Sequence, residues 1–172
     1  PIYNCNLAKT EHAAYLLVVN RGAVAGVNYG HSVYEYKNGT WSILLNNYVE
    51  PNATQTGIVG LDIEAEENGT LYILTSDDAV TSGVYNLRLK KYDPVTKQWS
   101  TVGGNPLPLD FKTSTSTSVA ISIAPDGTPF VAYRDEQDQD YPKVIYLDNE
   151  TKQWSDPHKL ADIASSNLNI AF

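Results

Sequence analysis

Three tryptophans, each followed by serine, punctuate the chain at near-equal intervals. They are Trp41-Ser42, Trp99-Ser100 and Trp154-Ser155, separated by 58 and 55 residues. Self-similarity at a fixed period of this size marks a chain built from repeated supersecondary units, each unable to bury its apolar face alone. The last two units share Thr-Lys-Gln-Trp-Ser, at Thr96 to Ser100 and Thr151 to Ser155. A second register agrees: Leu61 to Asp77 aligns without gaps on Val119 to Asp135 at an offset of 58. Ile63 then meets Ile121, Gly69 meets Gly127, Thr70 meets Thr128 and Tyr72 meets Phe130. Moving back 57 from Tyr72 reaches Tyr15, inside the apolar run Tyr15 to Val19.

Each unit reads as four short strands. The first has Tyr3 to Leu7, Tyr15 to Val19, Ser32 to Tyr36 and Thr40 to Leu44. The second has Gly60 to Ala65, Leu71 to Thr75, Tyr85 to Tyr92 and Gln98 to Val102, with Asp77 to Gly83 as a polar connection. The third has Val119 to Ile123, Pro129 to Tyr133, Lys143 to Leu147 and a strand from Gln153 onward. Asn68-Gly69 and Asp126-Gly127 sit between strands as favoured hairpin-turn pairs. The 12 tyrosines and the frequent Val, Ile and Thr suit pleated, half-buried surfaces. Additional chain length is expected in the connections 77–83 and 104–116.

A four-stranded sheet with two apolar faces is buried by stacking on like neighbours, and radial stacking of this kind is a β-propeller. The expected fold is therefore all-β: about three four-stranded antiparallel blades of a β-propeller, present as a fragment or half-ring. Residues 1–172 form a single partial domain, with repeats 1–57, 58–115 and 116–166, and 167–172 beginning a further blade. The run Ala124-Pro-Asp-Gly-Thr-Pro-Phe-Val-Ala-Tyr-Arg-Asp135, closed by Lys152-Gln-Trp-Ser155, resembles the repeats of kelch-like and lectin-like extracellular propellers. Trp99-Ser-Thr-Val-Gly-Gly104 fits their closing pattern; the kelch diglycine and the Gly-His and Trp-Asp pairs of WD40 repeats are missing. Because propellers need at least four blades, two completions are expected. Either a longer parent chain supplies the remaining blades, or two copies form a homodimer that closes the ring.

A net charge of −8 repels phosphate backbones, which argues against nucleic acid as a partner. The apolar runs are too short to span a bilayer. Cys5 is the only cysteine and is expected as a small buried hydrophobe. Asn38, Asn52, Asn68 and Asn149 begin Asn-x-Thr sequons, which are glycan acceptors in a secretory pathway and otherwise ordinary turn sequences.

No nucleophile motif surrounds His12, His31 or His158, and no histidine pair has metal-ligand spacing. No cofactor is expected. The one pattern able to wrap Ca²⁺ is Asp135, Asp138 and Asp140, for which a solvated, turn-capping loop is the simpler reading. Asp62, Glu64, Glu66 and Glu67 lie on or near a first strand, which lines the channel in propellers, yet no catalytic pair is assignable. Trp41, Trp99 and Trp154 have two readings. They pin outer strands to neighbouring sheets, or they stack on sugar rings, with Tyr141 and the further loop tyrosines Tyr29 and Tyr48 as added aromatic candidates. The leading functional expectation is a noncatalytic binding module, secreted, surface-displayed or periplasmic, whose ligand is a glycan or a protein. The alternative is part of a propeller enzyme acting on carbohydrate.

Overall fold

The computed structural model describes residues 2–24, 27–49, 58–81, 84–104, 107, 118–164 and 168–172. Three four-stranded antiparallel sheets follow one another along the chain. The first is β1 (Ile2–Lys9), β2 (Ala14–Val24), β3 (Val27–Lys37) and β4 (Thr40–Tyr48). The second is β5 (Ile58–Ala65), β6 (Leu71–Thr81), β7 (Val84–Asp93) and β8 (Gln98–Thr101). The third is β9 (Val119–Ile123), β10 (Pro129–Asp135), β11 (Tyr141–Tyr146) and β12 (His158–Lys159). In each sheet the spatial order is the chain order, so each is an up-and-down meander. No α-helix occurs among the described residues. This is the arrangement of propeller blades, with β1, β5 and β9 as adjoining innermost strands.

Side-chain alternation decides what each sheet buries. Tyr15, Leu17, Val19 and Val33 of the first sheet pack with Leu61, Ile63, Leu71, Ile73 and Tyr92 of the second. The opposite face of the second sheet (Tyr72, Leu74, Leu87 and Leu89) packs with Ile121, Val131, Tyr133 and Ile145 of the third. Leu17, Leu89, Tyr133 and Ile145 are wholly removed from solvent. At about 25 cal/mol per Å² of apolar surface, each such side chain contributes roughly 1.5–3 kcal/mol. The two cores lie between sheets, so no sheet has a complete core of its own.

The repeats agree down to individual turn hydrogen bonds. In the β5–β6 turn, Glu66 N–H donates to Thr70 O and Gly69 N–H to Glu66 O, both at 2.9 Å. In the β9–β10 turn, Ala124 N–H donates to Thr128 O at 2.9 Å and Gly127 N–H to Ala124 O at 2.8 Å. Gly69 and Gly127 have φ of 89° and 83°, a region open to glycine but not to most side chains. The outer turns repeat as well: Lys97 N–H bonds Asp93 O, and Lys152 N–H bonds Asp148 O.

Five expectations are corrected. Asp77 to Gly83 is not a loop up to its end, because β6 continues to Thr81, which pairs with Val84. Residues 82–83 lie outside the described residues, as do Asn52 and most of the 104–116 connection. The fourth strand of the third sheet does not start at Gln153: Trp154 makes one bridge to Leu147, and the strand proper is His158–Lys159. Tyr29, Tyr48 and Tyr141 lie in strands rather than in loops. Cys5 is exposed, because it shares with Leu7 the face of β1 turned away from the second sheet. Leu168 to Phe172 adopts no strand, although Leu168 N–H donates to Ser118 Oγ at 2.6 Å and Phe172 packs its ring 4.8 Å from Phe130.

Candidate functional site

The Trp-Ser repeat has a geometric meaning. Trp99 donates its indole N–H to Leu44 O of the first sheet at 3.1 Å. Trp154 donates to Gly103 O, at the edge of the second sheet, at 2.9 Å. Trp99 and Trp154 thus tie the outer part of their sheets to the sheet before. Trp41 is 53% exposed and leans on Tyr36 with ring centroids 5.2 Å apart. Trp99 leans on Tyr92 in the same way at 5.1 Å.

Ser42 and Ser100, each beside a tryptophan, face the next sheet. Ala8, Tyr15, Glu35 and Ser42 form one cross-strand row over the first sheet. The matching row of the second sheet is Glu64, Tyr72, Lys91 and Ser100. Where the first row meets the second sheet, a cleft of about 560 Å³ opens, lined by Tyr15, Glu35, Ser42, Asn68, Tyr92 and Lys97, with Lys37 at its side. Burial pushes the Tyr15 hydroxyl up to about 12, and the Glu35 carboxylate, its hydrogen-bond partner, adds to the rise. Glu35 therefore faces both an aromatic hydroxyl and Ser42 Oγ, the latter at 3.5 Å. The third sheet carries Phe130 and Tyr146 at the positions of Tyr15 and Glu35, so it has no carboxylate at the Glu35 position.

A second cluster lies where the innermost strands meet. Asp62 on β5 accepts from Asn6 Nδ2 of β1 at 2.5 Å, from its neighbour Ile63 N–H at 2.9 Å, and from Ile121 N–H of β9 at 2.9 Å. One carboxylate thereby bridges all three sheets. Burial raises its pKa while the two backbone donors pull it down, and the rise prevails. Glu64, on the same face, is also raised, first by burial and then by the Asp62 charge. Leu168, Asn169 and Ile170 border the same opening. Glu66 and Glu67 belong to the β5–β6 turn and are not on this strand.

The acidic loop after β10 is held by cations. Lys143 Nζ lies 2.7 Å from Asp135 and 2.9 Å from Asp138, and Arg134 pairs with Asp140 at 3.1 Å. Asp135 also caps the short 3-10 turn 136–138 by accepting from Gln137 N–H at 3.0 Å. Among the described residues no group of three His, Cys, Asp or Glu side chains converges on a metal position. Tyr141 lies beneath Lys159 Nζ, 4.4 Å from the ring centre, and its hydroxyl donates to Gln139 Oε1 at 3.1 Å. Sequence spacing singled out the tryptophans and Tyr141 but missed Tyr15, Glu35, Tyr92 and Lys97. Their convergence depends on the packing of one sheet on the next. The detectable signal was the shared offset of Tyr15 and Tyr72.

Repeated four-stranded meanders stacked about adjoining inner strands define a β-propeller-type protein. Solved structures with TM-scores above 0.5 agree on that fold. An endo-arabinanase from Bacillus licheniformis matches with a TM-score of 0.55 at 16% identity, over 99% of this chain and 61% of its own. Fructan 1-exohydrolase IIa from Cichorium intybus matches with 0.54 at 15% identity, over 90% of this chain and 31% of its own. A fucose lectin from Kordia zhangzhouensis matches with 0.49 at 12% identity, over 87% of this chain and 96% of its own. The chain thus spans less than two thirds of either hydrolase. No family model matches the sequence, and no curated protein matches it. Among the described residues no helix is long and apolar enough to cross a membrane.

Proposed function

We propose that this chain is a noncatalytic glycan-binding module of a secreted or surface propeller protein, with a saccharide seated in the cleft between the first two sheets. The cleft itself carries the reading. Its volume of about 560 Å³ lies in the range of small-ligand sites. Tyr15 and Tyr92, both buried in the core between the two sheets, reach the cleft wall but expose almost none of their rings, so polar side chains make most of its accessible surface. Glu35, Ser42, Asn68 and Lys97 surround them with the acceptors and donors that ring hydroxyls require. The test is a glycan array followed by calorimetry on any hit. Glu35→Gln and Lys97→Ala each weaken binding at least tenfold while the circular dichroism spectrum stays unchanged. Equal affinity in both variants rejects this cleft as the site.

A second reading rests on Asp62 and Glu64. Both carboxyls are raised, and both sit on an innermost strand beside an opening. The arabinanase and the fructan exohydrolase, by their names, cleave polysaccharides, and this reading makes the chain part of such an enzyme. A panel of arabinan, fructan and related polymers tests it. Hydrolysis that Asp62→Asn abolishes supports catalysis. Inactivity of the chain together with glycan binding that survives Asp62→Asn supports the module.

A further inference from the structure

The polar groups of the cleft between the first two sheets are unequally occupied. Glu35, half-buried, accepts the Tyr15 hydroxyl proton in a hydrogen bond and lies 3.5 Å from Ser42 Oγ. Asn68 Oδ1 accepts from Thr70 N–H at 2.7 Å, and Asn68 Nδ2 donates to Glu66 at 3.3 Å, so this amide is engaged in its own turn. Lys37 and Lys97 differ. Among the described residues, neither ammonium makes an ion pair or a side-chain hydrogen bond. Both side chains are exposed. Lys37 ends β3 and Lys97 lies in the β7–β8 turn, so each wall of the cleft contributes one cation at the rim.

The backbone sets where these cations stand. Lys37 lies two residues beyond Glu35 on the same strand, and period-2 alternation turns both toward the second sheet. Lys97 has a φ of 57°, and its N–H donates to Asp93 O at 2.8 Å. The turn recurs in the third sheet, where Lys152 has the same φ and donates to Asp148 O at 2.9 Å. The pairing of cations does not recur. The cross-strand pairs Tyr36–Trp41 and Tyr92–Trp99 are equivalent, which puts Lys91 at the position of Glu35 and Asp93 at the position of Lys37. The Lys91 ammonium is favoured first by its hydrogen bond to Tyr72, against the pull of burial, and then by the Glu66 and Asp93 carboxylates. The second sheet thus supplies the anions for its own lysine, whereas the first cleft leaves two ammoniums open to a ligand.

We infer that the cleft takes an acidic saccharide, whose single acid group, a carboxylate or a sulfate ester, sits at the rim between Lys37 and Lys97 while its hydroxyls face Glu35 and Ser42. This rests on the cleft being the saccharide site. Acid oxygens are the acceptors that ammonium groups bind through charge-assisted hydrogen bonds. One acid group suits the cleft, because two ammoniums and the Glu35 carboxylate leave one positive charge to balance. Long polyanions do not suit the chain, whose net charge of −8 repels them.

The test is an array of matched acidic and neutral glycans on the full chain, followed by calorimetry. The matched probes are trigalacturonate with its methyl ester, and sulfated lactose with lactose; comparing the two acids separates carboxylate from sulfate recognition. The expected result is that one acid binds at least tenfold more tightly than its neutral counterpart. Raising salt from about 50 to about 500 mM weakens the acid and spares the neutral sugar, because screening acts on the charged contact. Lys37→Gln and Lys97→Gln each cut the preference at least threefold, and the double variant removes it, with unchanged circular dichroism. Lys152→Gln, on the equivalent turn outside the cleft, leaves the preference intact. A wild-type preference near one overturns the acid class, and loss of that binding in Glu35→Gln then shows that the cleft still holds the sugar. A preference that survives the double variant also overturns the inference, because the acid is then bound elsewhere. Binding of no glycan, acidic or neutral, rejects both this inference and the cleft as a saccharide site.

Discussion

The indole N–H of Trp154 donates to the carbonyl oxygen of Gly103 at 2.9 Å, joining the third sheet to the edge of the second. The same bond, from Trp99 to Leu44, joins the second sheet to the first. Both rings are half-buried, and each bond reaches a main-chain carbonyl of the preceding sheet, at Leu44 beside a register shift of β4 and at Gly103 just beyond β8.

Trp99→Phe and Trp154→Phe keep most of the apolar contact and lose the bond. A net loss of about 1 kcal/mol each is expected, which is the usual worth of one such hydrogen bond. Trp41→Phe changes stability by less than about 0.5 kcal/mol, as most exposed substitutions do. Urea unfolding followed by tyrosine fluorescence checks all three.

Gly103 allows that bond to exist. Its φ is 69°, and a Cβ there would stand 2.2 Å from Trp154 Nε1. Gly39 has a similar φ of 79° but open space around its Cβ position. Gly39→Ala is expected to cost about 1 kcal/mol from backbone conformation alone. Gly103→Ala adds displacement of the indole, for a total on the order of 3 kcal/mol. The difference between the two variants in chemical denaturation isolates the clash.

Alkaline stability depends on two tyrosines. Tyr15 is pushed up to about 12, first by burial and then by Glu35, and burial raises Tyr133 further still. An acid whose pKa is higher folded than unfolded binds its proton more tightly in the native state. Stability is therefore full below the ordinary value of 10 and falls as pH rises from there toward the folded value. Melting temperature should decline above about pH 10. Glu35→Gln should lower the Tyr15 titration seen by phenolate absorbance while leaving Tyr133 unmoved.

The Asp62–Glu64 pair obeys the same sign. Both carboxyls are raised, so the pair favours the folded state most at low pH, and that contribution falls as pH climbs through their folded values. The turn carboxylates Asp93, Asp126 and Asp148 have the opposite sign, being lowered by backbone N–H donors, and their contribution is lost on acidification. Carboxyl carbon-13 titration should find Asp62 and Glu64 above the ordinary carboxylate range and the three turn residues below it. Asp62→Asn should lower Glu64, because the Asp62 charge is one cause of its rise.

The strands were legible because their alternation and their turn pairs are local. Val119–Ile123 matches the sequence reading to the residue, and the Gly69 and Gly127 turns follow from their Asn-Gly and Asp-Gly pairs together with their shared offset. Cys5 was misread because burial on one face of a strand depends on which neighbour that face meets. The reach of β6 past Asp77 was missed because polar residues in a hairpin extension carry no apolar period. The cleft was partly legible: its serine lay beside a repeated tryptophan, but Glu35 and Lys97 are 62 residues apart and carry no shared motif.

By itself the sequence determined the period, the four-stranded unit and the repeated tryptophan, since hydrogen-bonded turns and period-2 alternation are encoded over a few residues. Only the tertiary structure decided which face of each sheet is covered, that Asp62 bridges three strands, and that Trp41 stands uncovered where Trp99 does not. Those outcomes arise from contacts between side chains some 55 to 60 positions apart, and packing between sheets leaves no periodic trace in the chain.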